Sequence, residues 1–448
     1  MKIKRHFELD HRKRFWCLFG LLFLLIITRY ALQIDMPRLA FLLVIAVIVL
    51  LGDRDEIMAM CMCLIPLHES VDFFYAIAVI MGVYVFKHHR GIHLGTHILL
   101  AVLAIVWELL HCFRDSFSAV EFLSYITPFL VLAVVMSSNT KELDYPFIAR
   151  ALAWATLGVS LTMFIRVLYF SNFNFLVAVA NLQRMGSDLH SNIEDVTITG
   201  GLIHPNSLGV ITVLAATSLL QLRSMGASKR RDMVLMCVIL VLAALGASRT
   251  YLACLALMVL LLIISERGGI KKKLRLTVAL CLAIAAATIA MAFIFPDTFD
   301  FFVSRFSVDD ITSGRGNLAV QYSHFITSNP DVLFFGIGLQ NFSNRLINYF
   351  RIASVVPHNT LQEIIIAWGI PGLILFAALF FVMFRFARRK NQHLRLINWI
   401  PLIILVFKSL AGQMLTSAYT MLALSYAYLC LCVDFHPSEV KKYENESN

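Results

Sequence analysis

Four short clusters carry residue types that handle phosphate and protons. The segment from Gly200 to Gly209 reads GGLIHPNSLG, with His204 just before Pro205 and with Asn206 or Ser207 placed to cap the first turn of an apolar helix. Residues 246–250 read GASRT and set Arg249 at a turn between two apolar runs. A guanidinium at a membrane boundary costs a few kcal/mol unless a partner, water or ligand takes up its charge; snorkelling to the lipid headgroups is the competing use of the same side chain. Residues 312–317 read TSGRGN, where Arg315 is flanked by glycines whose backbone N–H groups could cradle an oxyanion, although a plain flexible turn has the same composition. Residues 357–363 read PHNTLQE, so His358 precedes an apolar run whose N-cap is Asn359 or Thr360. A lone His at such a place serves structure more often than catalysis.

Together the clusters describe a chemistry. Helix N-termini favour anions, an Arg fork matches phosphate oxygens, and a His exchanges a proton near neutral pH. That combination suits a diphosphate. Moving a sugar off a lipid diphosphate requires stabilising the departing negative charge and removing a proton from the attacking hydroxyl. Arg249 and Arg315 would do the first and His358 the second, with no metal and no cofactor required. Asp309 and Asp310 offer the alternative of a divalent cation, though adjacent loop carboxylates are usually only solvated. Glu108 and His111, three residues apart on one helical face, and Glu121 would pair inside a bundle or mark an ion path.

The elements that must position these residues are apolar helices. Of 448 residues, 59% are hydrophobic and only 15% charged, with a mean hydropathy of +0.78; a typical soluble domain carries about 25% charge. This excludes a soluble enzyme, a nucleic-acid module and a disordered scaffold. A spanning helix needs about 20 apolar residues to cross roughly 30 Å of hydrocarbon, and some 12 to 14 runs qualify, the run 56–67 being the least regular because Pro66 interrupts it. The expected fold is an all-α polytopic membrane protein with a basic N-terminus (1–14), a bundle over 15–295 holding an outer loop at 171–205, a large outer loop at 296–360, C-terminal spans over 361–433 and a tail at 434–448. With both termini cytoplasmic, the inner loops hold 26 Lys and Arg and the outer loops six, all Arg. The positive-inside rule then accounts for the formal +10 without nucleic acid. An all-Arg outer set fits an anionic ligand, as it fits the exclusion of Lys from six translocated positions. The 296–360 loop is rich in aromatic residues and is expected to fold as a lid with helices at 315–328 and 339–352. The nine cysteines show neither a disulfide framework nor zinc spacing.

The order of GGLIHPNSLG, ASRT, TSGRGNLAVQY, FFGIGLQNF and PHNTLQEIIIAWGIPGLILF, over about residues 200–385, resembles the bacterial O-antigen ligase and O-antigen or capsular polysaccharide polymerase family. The resemblance implies a C-type glycosyltransferase fold, metal-independent transfer from an undecaprenyl-diphosphate-linked oligosaccharide to a glycan acceptor, and work at the outer face of the bacterial cytoplasmic membrane, with a flippase and a chain-length regulator as further partners. It assigns Arg249 and Arg315 to the diphosphate and His358 to the activation of the acceptor, with Asn359 orienting that loop; Asn206 and His204, at the other capped helix start, are expected in support. Gly336 and Gly338 match a Gly-x-Gly turn that lets backbone approach closely. Ligases of the family carry a further His two positions before the conserved one; here that position is Val356, which favours polymerisation. A transporter of lipid-linked glycans would also need many spans and cationic residues, but along a central cavity.

Overall fold

The computed structural model describes residues 2–67, 71–93, 95–113, 118–175, 202–244, 248–265, 315–339, 357–391, 394–410, 412–415 and 417–433, with single residues or short groups between 271 and 303 and residues 346, 349 and 350. Among the described residues there are helices and no strand. In chain order they are α1 (Lys2–Ile26), α2 (Arg38–Leu51), α3 (Arg54–Cys63), α4 (Val71–His88), α5 (Thr96–Cys112), α6 (Ala119–Ser137), α7 (Tyr145–Phe170), α8 (Pro205–Ser224), α9 (Arg230–Ala244), α10 (Arg249–Ser265), α11 (Arg315–Ser328), α12 (Pro330–Phe335), α13 (Thr360–Lys390), α14 (Leu396–Leu410) and α15 (Ala418–Cys432). Five described helices are long and apolar enough to cross a membrane, and six shorter apolar helices accompany them. The chain is an all-α polytopic membrane protein.

Local sequence sets the ends. Asp53 and Glu56 exchange side-chain and backbone hydrogen bonds in a capping box that starts α3, and Asp144 caps α7 ahead of Pro146. The run 56–67 does not cross: α3 has ten residues, about 15 Å at 1.5 Å per residue, and passes through Leu64 into a 3-10 turn at Ile65–Leu67, all of it buried. Pro66 and the missing length explain the difference. Around the deeply buried α8 pack α7, α9, α10 and α14, while α15 lies against α6 and α14.

One end of the bundle gathers the basic loops. Arg12 pairs with Asp55 at 3.1 Å and Asp144 at 3.2 Å, Arg54 pairs with Glu142 at 2.5 Å, and Arg150 with Asp232 at 3.1 Å. Lys87 and Lys390 each donate to a backbone carbonyl, of Gly52 and Ser138, at 2.7 Å. His204, Asn206, Arg249, His358 and Asn359 lie at the other end, at the starts of their helices.

In α13 the sequence Gly369-Ile370-Pro371-Gly372 breaks the helix. Gly369 takes φ 65° and ψ −160°, and Pro371 has no N–H to offer the Ala367 carbonyl. The freed carbonyls of Ile366 and Ala367 accept instead from the N–H groups of Ile337 and Gly338, at 2.8 and 2.7 Å.

Candidate functional site

Three of the helix starts at the end opposite the basic loops carry the singled-out side chains. His204, not Asn206 or Ser207, is the N-cap of α8: its Nδ1 accepts from the Asn206 N–H at 3.2 Å, because Pro205 occupies the first helical position and pushes the cap one residue upstream. Asn206 is thereby released for another partner, and its Oδ1 accepts from the Ser248 hydroxyl at 2.6 Å. The same hydroxyl accepts from the Tyr251 N–H at 3.1 Å in the manner of an N-cap. One Ser thus ties the start of α8 to the start of α10, whose first residue is Arg249. The two helices approach closely one turn further in, where a Cβ on Gly209 would lie 2.5 Å from that of Tyr251.

The third start is α13. Asn359 caps it, its side chain accepting from the Leu361 N–H at 2.9 Å, and His358 is the half-buried residue just before. Gln362 in the first turn donates from Nε2 to the Ala319 carbonyl at 2.7 Å and to the Ser323 hydroxyl at 2.9 Å. These bonds seat α11 on the start of α13 and bring Arg315, the first residue of α11 and one turn before Ala319, to the same end. The helix falls on the expected 315–328. Its buried Tyr322 and its Phe325 meet Phe350 at ring-centroid distances of 5.2 and 5.8 Å, and burial pushes the Tyr322 phenol above its ordinary range. Pro330–Phe335 forms a further short helix that the pattern of the sequence did not announce.

His204, Asn206, Arg249, His358, Asn359 and the backbone of Arg315 therefore lie at one end of the bundle, where the starts of α8, α10 and α13 direct positive partial charge. Gly336 and Gly338 do not join them. With φ of 77° and 81° they run along the α13 kink, where a Cβ on Gly336 would meet the Ala367 carbonyl oxygen at 2.3 Å and one on Gly338 the His111 Cβ at 2.6 Å. That kink lies about 14 Å along α13 from His358 at the usual rise. The close backbone approach that the Gly-x-Gly pattern implied is an approach to a helix.

Glu108 and His111 hold the same turn. Glu108 Oε2 accepts from the Trp368 indole at 2.6 Å and from the Leu339 N–H at 3.0 Å, while the His111 nitrogens lie 2.8 Å from the carbonyls of Trp107 and Phe335. Glu121 is exposed in the first turn of α6. Asp309 and Asp310, Gly200 and Gly201, Thr312 to Gly314, the outer-loop Arg114, Arg184, Arg305, Arg345 and Arg351, most of the runs 276–295 and 339–352, and the tail 434–448 lie outside the described residues.

Two charged residues near the site escaped the reading by motif. Glu363, in the first turn of α13, and Lys408, at the end of α14, are both buried. The signal was an ionisable residue inside an apolar run, which by itself points to function.

No curated protein matches the chain. Residues 233–377, about a third of its length, match the O-antigen ligase family. The matched stretch runs from α9 through the kink of α13 and contains Arg249, Arg315, Gly336, Gly338, His358 and Asn359, leaving His204, Asn206 and Lys408 outside. Over that segment the chain is similar to the O-antigen ligase family.

Proposed function

We propose that this protein polymerises surface polysaccharide by transferring oligosaccharide from undecaprenyl diphosphate to a growing lipid-linked glycan at the outer face of the bacterial cytoplasmic membrane. The observation that supports it is that the starts of α8, α10 and α13, with Arg249 and His358, lie at the same end of the bundle, opposite the basic loops. His358 accepts the proton of the acceptor hydroxyl, whose oxygen bonds to the anomeric carbon as the bond from that carbon to the diphosphate oxygen breaks. The electron pair leaves with the diphosphate, and Arg249 and Arg315 hold the charge that develops there. Each side chain carries out its step without a metal.

The family is described as O-antigen ligase, which favours a second reading, transfer of a finished glycan to another acceptor by the same chemistry. Val356, where ligases carry a His, favours the first. The test is the size distribution of surface and lipid-linked glycan in the native host after deletion, with wild type or His358→Ala restored. Loss of long chains while single repeat units still reach their anchor is the result expected of a polymerase. Long polymer stranded on undecaprenyl diphosphate identifies a ligase. Unpolymerised units trapped on the cytoplasmic side would overturn both in favour of a transporter.

A further inference from the structure

The loop between α14 and α15 passes the start of α13, and side chains hold four of its described backbone groups. Thr360 Oγ1 donates to the Gly412 carbonyl at 3.2 Å. Lys408 Nζ donates to the Gln413 carbonyl at 2.6 Å and to the Thr420 hydroxyl at 2.8 Å, and lies 4.6 Å from the centre of the Tyr419 ring. Glu363 Oε2 accepts from the N–H groups of Met414 and Leu415 at 2.7 and 3.0 Å. Lys408 is 8% exposed and Glu363 0%, so neither charge is satisfied by snorkelling to water.

The Gln413 carbonyl and the Met414 N–H belong to one planar trans peptide unit and point in opposite directions. An ammonium sits on its negative end and a carboxylate on its positive end. Among the described residues Lys408 makes no direct ion pair, and this peptide dipole is what couples its charge to an acid. In a low-dielectric surround each charge polarises the unit towards the other, which strengthens both hydrogen bonds. Removing either charge leaves the other buried with its hydrogen bonds but without the opposite charge across the peptide. Gly412 lies against the same side chain: a Cβ there would come to 3.0 Å from both Lys408 Cε and the Lys408 carbonyl oxygen. Glu363 and Thr360 belong to the first turn of α13, whose cap is Asn359 and whose preceding residue is His358.

We propose that Lys408 and Glu363, joined through the Gln413–Met414 peptide, form a charge clamp that fixes this turn and so positions His358 for proton transfer. The proposal rests on His358 being the base. Lys408 and Glu363 act through the loop and are positioning residues.

The experiment uses the full chain in lipid nanodiscs with lipid-linked glycan extracted from the native host, rates being normalised to folded protein. Lys408→Met is expected to lower kcat at least about tenfold while KM for the donor changes less than about twofold, since misplacing a reacting group by 1 Å costs up to about a hundredfold. Lys408→Arg recovers part of the rate. The double variant Lys408→Met/Glu363→Gln is faster than Lys408→Met alone, because the buried negative charge that Lys408 balanced is gone; it also serves if the single variant does not fold. A wild-type kcat for Lys408→Met beside an inactive His358→Ala overturns the clamp and leaves the base in place. Activity in His358→Ala overturns the base, and with it the clamp. A double variant no faster than Lys408→Met overturns the coupling between the charges.

Discussion

Arg249 sits at the first position of α10, just after Ser248, which caps that helix through the Tyr251 N–H and ties it to the start of α8. Its replacement by Ala is expected to lower transfer by about a hundredfold or more, the usual cost of losing one preorganised donor to a developing anion, with membrane insertion unchanged; wild-type rates would remove Arg249 from the site. Lys at the same position restores the charge without the fork and recovers only part of the rate. Tyr322 gives a prediction of opposite sign. Its hydroxyl is buried without a hydrogen-bond partner, so Tyr322→Phe keeps the ring contact with Phe350 and removes an unsatisfied group, and the melting temperature should hold or rise. At this scale the sequence was legible where a charged or proton-exchanging residue interrupts apolar surroundings, as at Arg249 and His358. His204 was misjudged because Asn and Ser are the commoner caps, although Pro205 marks the first helical position and so pointed to it. Lys408 and Glu363 went unread because the peptide that joins them comes from a loop some fifty residues beyond Glu363, and no local pattern encodes that meeting.

Among the elements, α13 is the one whose shape matters most, because a break in it is closed by a different part of the chain. The Gly-Ile-Pro-Gly sequence announces the break. Its repair by Ile337 and Gly338 could not be read, since their donors reach the freed carbonyls only through the tertiary fold. Gly338 meets two restrictions at once, a φ of 81° and the His111 Cβ at 2.6 Å from any added methyl group. Gly338→Ala should therefore destabilise the fold by roughly 2–4 kcal/mol, combining the left-handed conformation with overpacking, read as a lowered melting temperature in detergent. Because the kink lies well below His358, the protein that remains folded should keep its KM for the glycan donor. A changed KM with an unchanged melting temperature would show that this turn contacts substrate.

For the whole molecule the question is which end faces outward. The ion pairs of Arg12, Arg54 and Arg150, and the carbonyl contacts of Lys87 and Lys390, draw one end together. Hydrogen bonding and attraction from Arg54 hold the Glu142 carboxyl below its ordinary value. Its stabilising contribution is present above the unfolded value and is lost as pH falls through the folded one; because Glu142 is fully exposed, acid alone should loosen this end only slightly, and less at high salt. We propose, from the excess of Lys and Arg in these loops, that this end faces the cytoplasm, which would turn His358, Arg249 and the start of α11 to the outer face. Alkaline phosphatase, active only after export, gives the test. Fused after Asn174 it should be active, and fused after Ser228 or at the C-terminus it should be inactive. The reverse pattern would place the three helix N-termini and His358 in the cytoplasm. Their arrangement could still bind a diphosphate there, but a glycan extended on that side would have to be exported as finished polymer, and assembly from single units at the outer face would no longer describe this protein.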